Sequence, residues 1–177
     1  MIEQENNILS VADVDKRVLR TWLGQYATGV TIVTTLNEQG QKVGMTANSF
    51  SSVSLDPPLI LWSIAKTASN VADFCKCKRF AINILNEAQH TESNHFSKSS
   101  TDKFSSLSCV SEIENIPVID EALTTLICRT YQIYEGGDHH IILGEIELCK
   151  HNGGKPLLFH NGKYHAASLH HSYNDCR

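Results

Sequence analysis

What the sequence lacks excludes most chemistries before anything positive is read. No uninterrupted apolar run approaches the length that crosses a bilayer. The opening MIEQENNILSVADVDKR has neither the basic nor the apolar region of a secretory signal. There is no block of Lys and Arg, and the net charge is -4. That argues against non-specific nucleic-acid binding, which leans on excess cations. Among the six cysteines there is no CxxC pair: Cys75 and Cys77 are two apart and Cys109, Cys128, Cys149 and Cys176 are dispersed. A thiol-redox motif or Cys-rich zinc site is therefore not expected. Of nine histidines, His139-His140 and His170-His171 are adjacent pairs. Neighbours on a strand point to opposite faces, so such a pair does not chelate one ion. GxGxxG, the P-loop spacing and GxSxG are all missing, as is any convincing carboxylate pair or triad spacing. The expectation is a cytoplasmic protein with reduced thiols, no metal, no nucleic acid and no membrane.

What is present is globular. The 177 residues, 41% hydrophobic and 19% charged, suit one domain able to bury a sizeable core. The densest feature is residues 43–63, VGMTANSFSSVSLDPPLILWS. Ser, Thr and Asn crowd the run before Pro57-Pro58, with Gly44 and Ala47 as small steps. Such a segment lets its backbone approach a polar ligand, although an exposed Ser-rich connector has the same composition.

Around it the pattern alternates strands with short helices. Residues 1–10 are expected as a flexible N-terminus. From Ser10, with Asp13 three later as a capping-box partner, Val14, Val18, Trp22 and Tyr26 recur at i+4. They predict one amphipathic helix ending near Gly29. Residues 30–36 read as a strand, 38–41 as a turn and 42–47 as its antiparallel return. Two prolines cannot sit inside a central strand, so they start the next one or join the two. Residues 59–64 are apolar enough to be buried on both faces.

Residues 66–69 lead into a short helix with Val71, Phe74 and Cys75 on one face and Thr67 or Ser69 as its N-cap. A helix start beside Lys66 offers an anion site, or else a solvated lysine. Residues 80–85 are a strand and 87–96 a second helix. Residues 97–111 are a mobile surface excursion, and 112–121 an edge-like segment limited by Pro117. Strands over 122–135 and 139–151 flank Gly136-Gly137-Asp138, a hairpin signal. Residues 156–159 and 163–165, joined at Asn161-Gly162, form a last small hairpin. Adjacent antiparallel pairs without βαβ rhythm predict a mainly β fold, a small barrel carrying peripheral helices.

The residues GMTANSFSSVSLDPPLILWSI resemble the signature of the short-chain flavin reductases, with their antiparallel split β-barrel of FMN-binding type. TGVTIVTT, FAINIL, GGDHHIILGEI and PLLFHNGKY follow in family order, so the resemblance runs over about 14–164. It implies a split-barrel domain over 11–168 with a tail at 169–177. By motif position it implies flavin contacts at Thr46, Ala47, Asn48, Ser49, Ser51 and Ser52. It also implies a phosphate near Ser54, Lys66 and Ser69, a nicotinamide contact at His139, and a further pocket residue in Tyr164. On its own, His139 reads as a hairpin-end residue.

The cofactors implied are FMN or FAD, with NADH or NADPH as hydride donor. The partners implied are a second copy, in a homodimer, and a flavin-dependent monooxygenase that receives reduced flavin. Lys103-Phe104 stands where many members have Arg-Phe followed shortly by Gly, and here Ser105-Ser106 follows. That departure motivates one rival, a flavin carrier or sensor without nicotinamide-dependent activity; the other rival is a split-barrel oxidase acting on another substrate with bound FMN. Flavin bound but not reduced by either nicotinamide marks the first, and reduction by an organic substrate with NADH inert marks the second.

Overall fold

In the computed structural model, which describes residues 8–100, 102–105 and 107–170, strands dominate. In chain order they are β1 (Thr28–Gly29), β2 (Thr31–Leu36), β3 (Lys42–Ala47), β4 (Ser51–Leu55), β5 (Pro58–Ala65) and β6 (Arg79–Ile84). Then come β7 (Val110–Ile113), β8 (Ile116–Ile119), β9 (Thr124–Gly136), β10 (His139–His151), β11 (Leu157–His160) and β12 (Lys163–Ala166). The helices are α1 (Lys16–Leu23), α2 (Val71–Lys76) and α3 (His90–Ser97). The expectations for residues 1–7 and 171–177 lie outside the described residues.

Seven strands form one antiparallel sheet in the order β3-β2-β6-β9-β10-β5-β4. It remains open: β3 and β4, joined only by residues 48–50, are its two edges. That is the split of the barrel. Its interior is lined by Val33, Ile60, Trp62, Ile64, Phe80, Ile82, Cys128 and Ile142, all buried. α2 plugs it with Phe74, whose ring meets Trp62 edge-on at 5.0 Å. Burying a ring of this size stabilises by about 1.5–3 kcal/mol. Burial also pushes the Cys128 thiol up to about 12, with nearby Glu147 contributing. In β5 Ile60, Trp62 and Ile64 are fully buried and Leu59 is buried at its start, whereas Leu61, Ser63 and Ala65 are only partly so. The strand is therefore not buried on both faces as expected, because only β4 lies beyond it.

Three other expectations are corrected. The single helix from Ser10 to Gly29 is broken. Ser10 caps only a 3₁₀ turn over Val11–Asp13, Val14 is extended, and Asp15 starts α1 by accepting from the Arg17 amide at 2.7 Å. Two competing caps five residues apart divided it. α1 buries none of its residues, and Trp22 is half exposed. β1, within the span read as helix, instead pairs with β11 and extends the final hairpin into a three-stranded sheet.

α2 is capped by Asn70, not Thr67 or Ser69, and Asn70 makes no side-chain capping bond. The edge-like segment at 112–121 is half of a hairpin, β7 with β8, turned by Glu114 and Asn115 at φ 52° and 64°. β8 is wholly buried. Its Pro117 has no N–H to donate, which is tolerated because β8 pairs on one side only, and the Pro117 carbonyl accepts from the Thr34 hydroxyl. Residues 97–111 include a tethered stretch: His95 Nε2 lies 2.8 Å from the Lys103 carbonyl and Phe104 packs edge-on against Phe96 at 5.1 Å.

Candidate functional site

β3, the start of α2, α3 and the β11–β12 hairpin converge on a groove of about 480 Å³. α3 shapes one wall. It turns Ser93 and Phe96 inward, where both are fully buried, and this leaves Asn94 and Ser97 along the groove. β3 can lie this close to α3 because residue 44 is glycine: a Cβ there would stand 2.6 Å from Phe96 Cε1. Met45, Thr46 and Asn48 then follow along the opposite wall.

Hydroxyls and amides knit the two walls together. Thr46 Oγ1 donates to the Ser93 carbonyl at 2.6 Å. The Tyr164 and Ser93 hydroxyls share a hydrogen bond of 2.7 Å, and Tyr164 donates to Asn94 Oδ1 at 3.2 Å. Val30, Ala68 and Phe159 add apolar surface. No Asp or Glu lines this groove, although the chain is net acidic, whereas Lys98 and Lys103 do. An apolar-walled cleft with a few convergent donors is the usual form of a cofactor site.

Of the residues singled out from sequence, the groove gathers Thr46, Asn48, Ser69 and Tyr164. The others lie elsewhere. Ala47 alternates inward to the barrel core. Ser49 is a lock: its hydroxyl donates to the Ser63 carbonyl at 3.0 Å and accepts from the Ser63 amide at 2.9 Å. Ser51 and Ser52 are exposed on the edge strand β4, and Ser54 follows a bulge at Val53. None of these four residues of residues 49–54 lines the groove.

Lys66 and His139 belong to a second cluster, at the β9–β10 turn. Strand pairing sets His139 opposite Ala65, and the Lys66 amide donates to the Asp138 carbonyl at 2.9 Å. The Lys66 ammonium pairs with Glu135 and holds that carboxyl below its usual range. His139 Nδ1 lies 2.7 Å from Asp138 Oδ1, a hydrogen bond that likewise holds Asp138 low. His140 Nδ1 stands 3.4 Å from Glu135. Lys66 is three residues before Ser69, so chain length alone keeps the Lys66 Cα within about 11 Å of the Ser69 Cα.

The sequence reading missed Ser93, Asn94 and Asn70, for which no motif gave a signal. Lys103 was visible there only as a departure from a pattern. Here its Nζ donates to the Gly44 and Phe96 carbonyls at 3.1 and 2.8 Å, and burial lowers its pKa. Among the described residues no group of His, Cys, Asp and Glu could hold a metal, and no helix is long and apolar enough to cross a membrane.

Comparison with known proteins matches residues 23–168 to the flavin reductase like domain. The reductase component of the flavin-dependent trigonelline monooxygenase of Acinetobacter baylyi is 46% identical over 84% of this chain and 48% of its own length. The FMN reductase (NADH) SmoA of Agrobacterium fabrum is 41% identical over 85% of each chain. The NADH:FAD oxidoreductase SgcE6 of Streptomyces globisporus superposes with a TM-score of 0.84 at 32% identity, over 94% of this chain and 99% of that one. It has also been solved with NAD and FAD fragments. The chain spans about half the length of two of the curated relatives it matches. The open antiparallel barrel, the groove at its split and a family match covering most of the residues agree, and the chain belongs to the flavin reductase like domain family.

Proposed function

We propose that this chain is an NAD(P)H:flavin oxidoreductase that reduces FMN or FAD and hands the reduced flavin to a separate monooxygenase. The observation that carries the reading is the groove wall. It has hydroxyl and amide donors, apolar faces and two lysines, and no carboxylate. A flavin gains negative charge on its pyrimidine edge when reduced, and donors without opposing acids favour that state. When bound, the flavin itself supplies the hydride-accepting chemistry, so the protein needs neither a metal nor a strong acid or base.

The remaining work is positioning. Thr46, Asn48 and Tyr164 hold the ring system, Ala47 and Ser49 keep the β3–β4 connection in place beneath it, and Ser69 meets the ribityl phosphate. Lys66 and His139 receive the phosphate and the nicotinamide from outside the groove lining; Lys66 must then exchange its Glu135 partner for the ligand. The serines 51, 52 and 54 contribute from β4 across a homodimer seam. Support for a seam is exposed apolar surface: Leu55 is 94% exposed on the edge strand, and Trp22 of α1 and Tyr26 just after it are also exposed. Cytoplasmic residence goes with this assignment. Relatives named as monooxygenase reductase components support the transfer of reduced flavin.

The test is a titration of purified protein with NADH and NADPH at saturating FMN and then FAD, with the oligomer read by light scattering. Flavin-dependent oxidation of at least one nicotinamide is expected, and none with either flavin would overturn the reading. His139→Ala is expected to raise KM for the nicotinamide roughly tenfold, the loss of one charge-assisted hydrogen bond, with flavin affinity little changed. The reverse pattern would move the dinucleotide elsewhere.

A further inference from the structure

His139 and His140 are neighbours on β10, so their side chains leave opposite faces of the sheet. His140 stands opposite Ile64 of β5, which is fully buried, so His140 turns inward at the mouth of the barrel. There its Nδ1 is cut off from solvent and has no hydrogen-bond partner. That atom lies 3.4 Å from Glu135 Oε1, near enough for an ion pair but outside hydrogen-bonding geometry. The other oxygen of the same carboxylate, Oε2, holds the Lys66 ammonium. One carboxylate therefore stands between two nitrogen groups. A lysine is charged throughout the physiological range, whereas an imidazole is the side chain that changes charge within it.

Few other charges face this cluster. α2 presents Cys75, whose thiol is pushed up first by burial and then by the charge of Glu135. On the opposite face His139 engages Asp138, which also feels the charge of Lys16. Glu135 is held below its usual range first by the Lys66 hydrogen bond, with the charge of His140 adding to it. Among the described residues no other carboxylate lies within ion-pair distance of Lys66 or His140. The Glu135 side chain is 72% exposed, so its pair with Lys66 is weak and open to exchange.

We propose that His140 is a positioning residue for Lys66, acting through Glu135: a protonated His140 takes over the carboxylate and frees the lysine for an oxyanion of the ligand. This rests on the flavin-reductase reading, in which Lys66 gives up Glu135 on binding. While His140 is neutral, Lys66 leaves Glu135 stranded beside the incoming anion, with two like charges together. An imidazolium makes a charge-assisted hydrogen bond to Glu135 and adds a positive charge beside the anion. Affinity for an anionic ligand therefore rises as pH falls, and the bound anion draws a proton onto the site in return.

The experiment measures dissociation constants of riboflavin, FMN and NAD+ for the wild type, His140→Asn and Glu135→Gln, by flavin fluorescence quenching and by calorimetry. The range is roughly pH 5.5 to 8.5, where imidazoles titrate. Asn places a neutral amide N–H where the ring nitrogen was. On acidification the wild type is expected to gain about threefold to tenfold more affinity for a phosphate-bearing ligand than H140N does. The ligand's own titration is common to both proteins and drops out of the comparison. E135Q, with Lys66 released at every pH, is expected to bind the same ligand more tightly than the wild type at the alkaline end and to follow the H140N profile. Riboflavin, having no phosphate, should stay within about twofold throughout. An effect on FMN identifies the flavin phosphate as the anion, and an effect on NAD+ alone identifies the dinucleotide. Matching profiles for the wild type and H140N, an E135Q that binds no more tightly, or a parallel shift of riboflavin would overturn the role of His140 and leave the flavin-reductase reading standing. A wild type that binds no flavin would overturn that reading and this one with it.

Discussion

Asn83→Ala is expected to destabilise the fold by about 3 kcal/mol or more, because several buried polar partners lose their mate at once. Asn83 is fully buried near the end of β6. Its amide donates to the Ile32 carbonyl at 2.9 Å and to Thr34 Oγ1 at 3.2 Å. Its Oδ1 accepts from the Ile119 amide at 3.0 Å and from Thr125 Oγ1 at 3.3 Å. One side chain thereby ties β2, β8 and β9 together, and with the Thr34–Pro117 hydrogen bond and the packing of Ile116 and Val118 it docks the β7–β8 hairpin to the barrel. Removing it takes away the acceptor for the Ile119 N–H and leaves a small void. Urea unfolding should show a lower midpoint at an unchanged slope. Flavin affinity of the folded protein should be retained, since Asn83 does not line the groove. A loss below about 1 kcal/mol would mean that water or neighbouring groups replace the network.

Gly44→Ala is expected to harm stability and ligand binding together. The added Cβ would lie 2.6 and 2.9 Å from two atoms of the Phe96 ring and 3.0 Å from Phe104. Phe96 is fully buried and cannot swing away, so β3 or α3 must move. Overpacking of this kind costs about 1–3 kcal/mol. The shift falls on the groove: β3 carries Thr46, and the Gly44 carbonyl is one of the two that fix Lys103. Loss of one well-placed hydrogen bond of about 1.4 kcal/mol corresponds to about tenfold weaker flavin binding. Thermal unfolding and fluorescence titration of the variant measure both effects. An unchanged melting temperature with unchanged affinity would show that α3 gives way freely and that β3 does not set the groove.

Much of the architecture was legible in the chain because its signals are local. Period-2 alternation marked β6, and Gly136-Gly137-Asp138 and Asn161-Gly162 marked two hairpins that both form. The motif order pointed to a split barrel, and the family match agrees. Where local signals competed, the reading went astray. Asp15 outbid Ser10 as the cap of α1, and the β7–β8 turn uses Glu114 and Asn115 in a backbone region more usually held by glycine.

The sequence by itself determined the strand pattern, the hydroxyl-rich segment at 43–63 and the absence of metal-binding or nucleophile motifs, all of which depend on neighbours along the chain. Only the tertiary structure decided which of those hydroxyls share a groove. Alternation and a bulge send Thr46 and Asn48 to the groove, Ala47 to the core and Ser51, Ser52 and Ser54 to an open edge. It also decided the charges. Lys66 and Glu135 are 69 residues apart, and Lys103 meets the Gly44 carbonyl across 59. Long-range pairing of strands and packing of α3 on β3 bring such groups together, and no spacing in the chain encodes it.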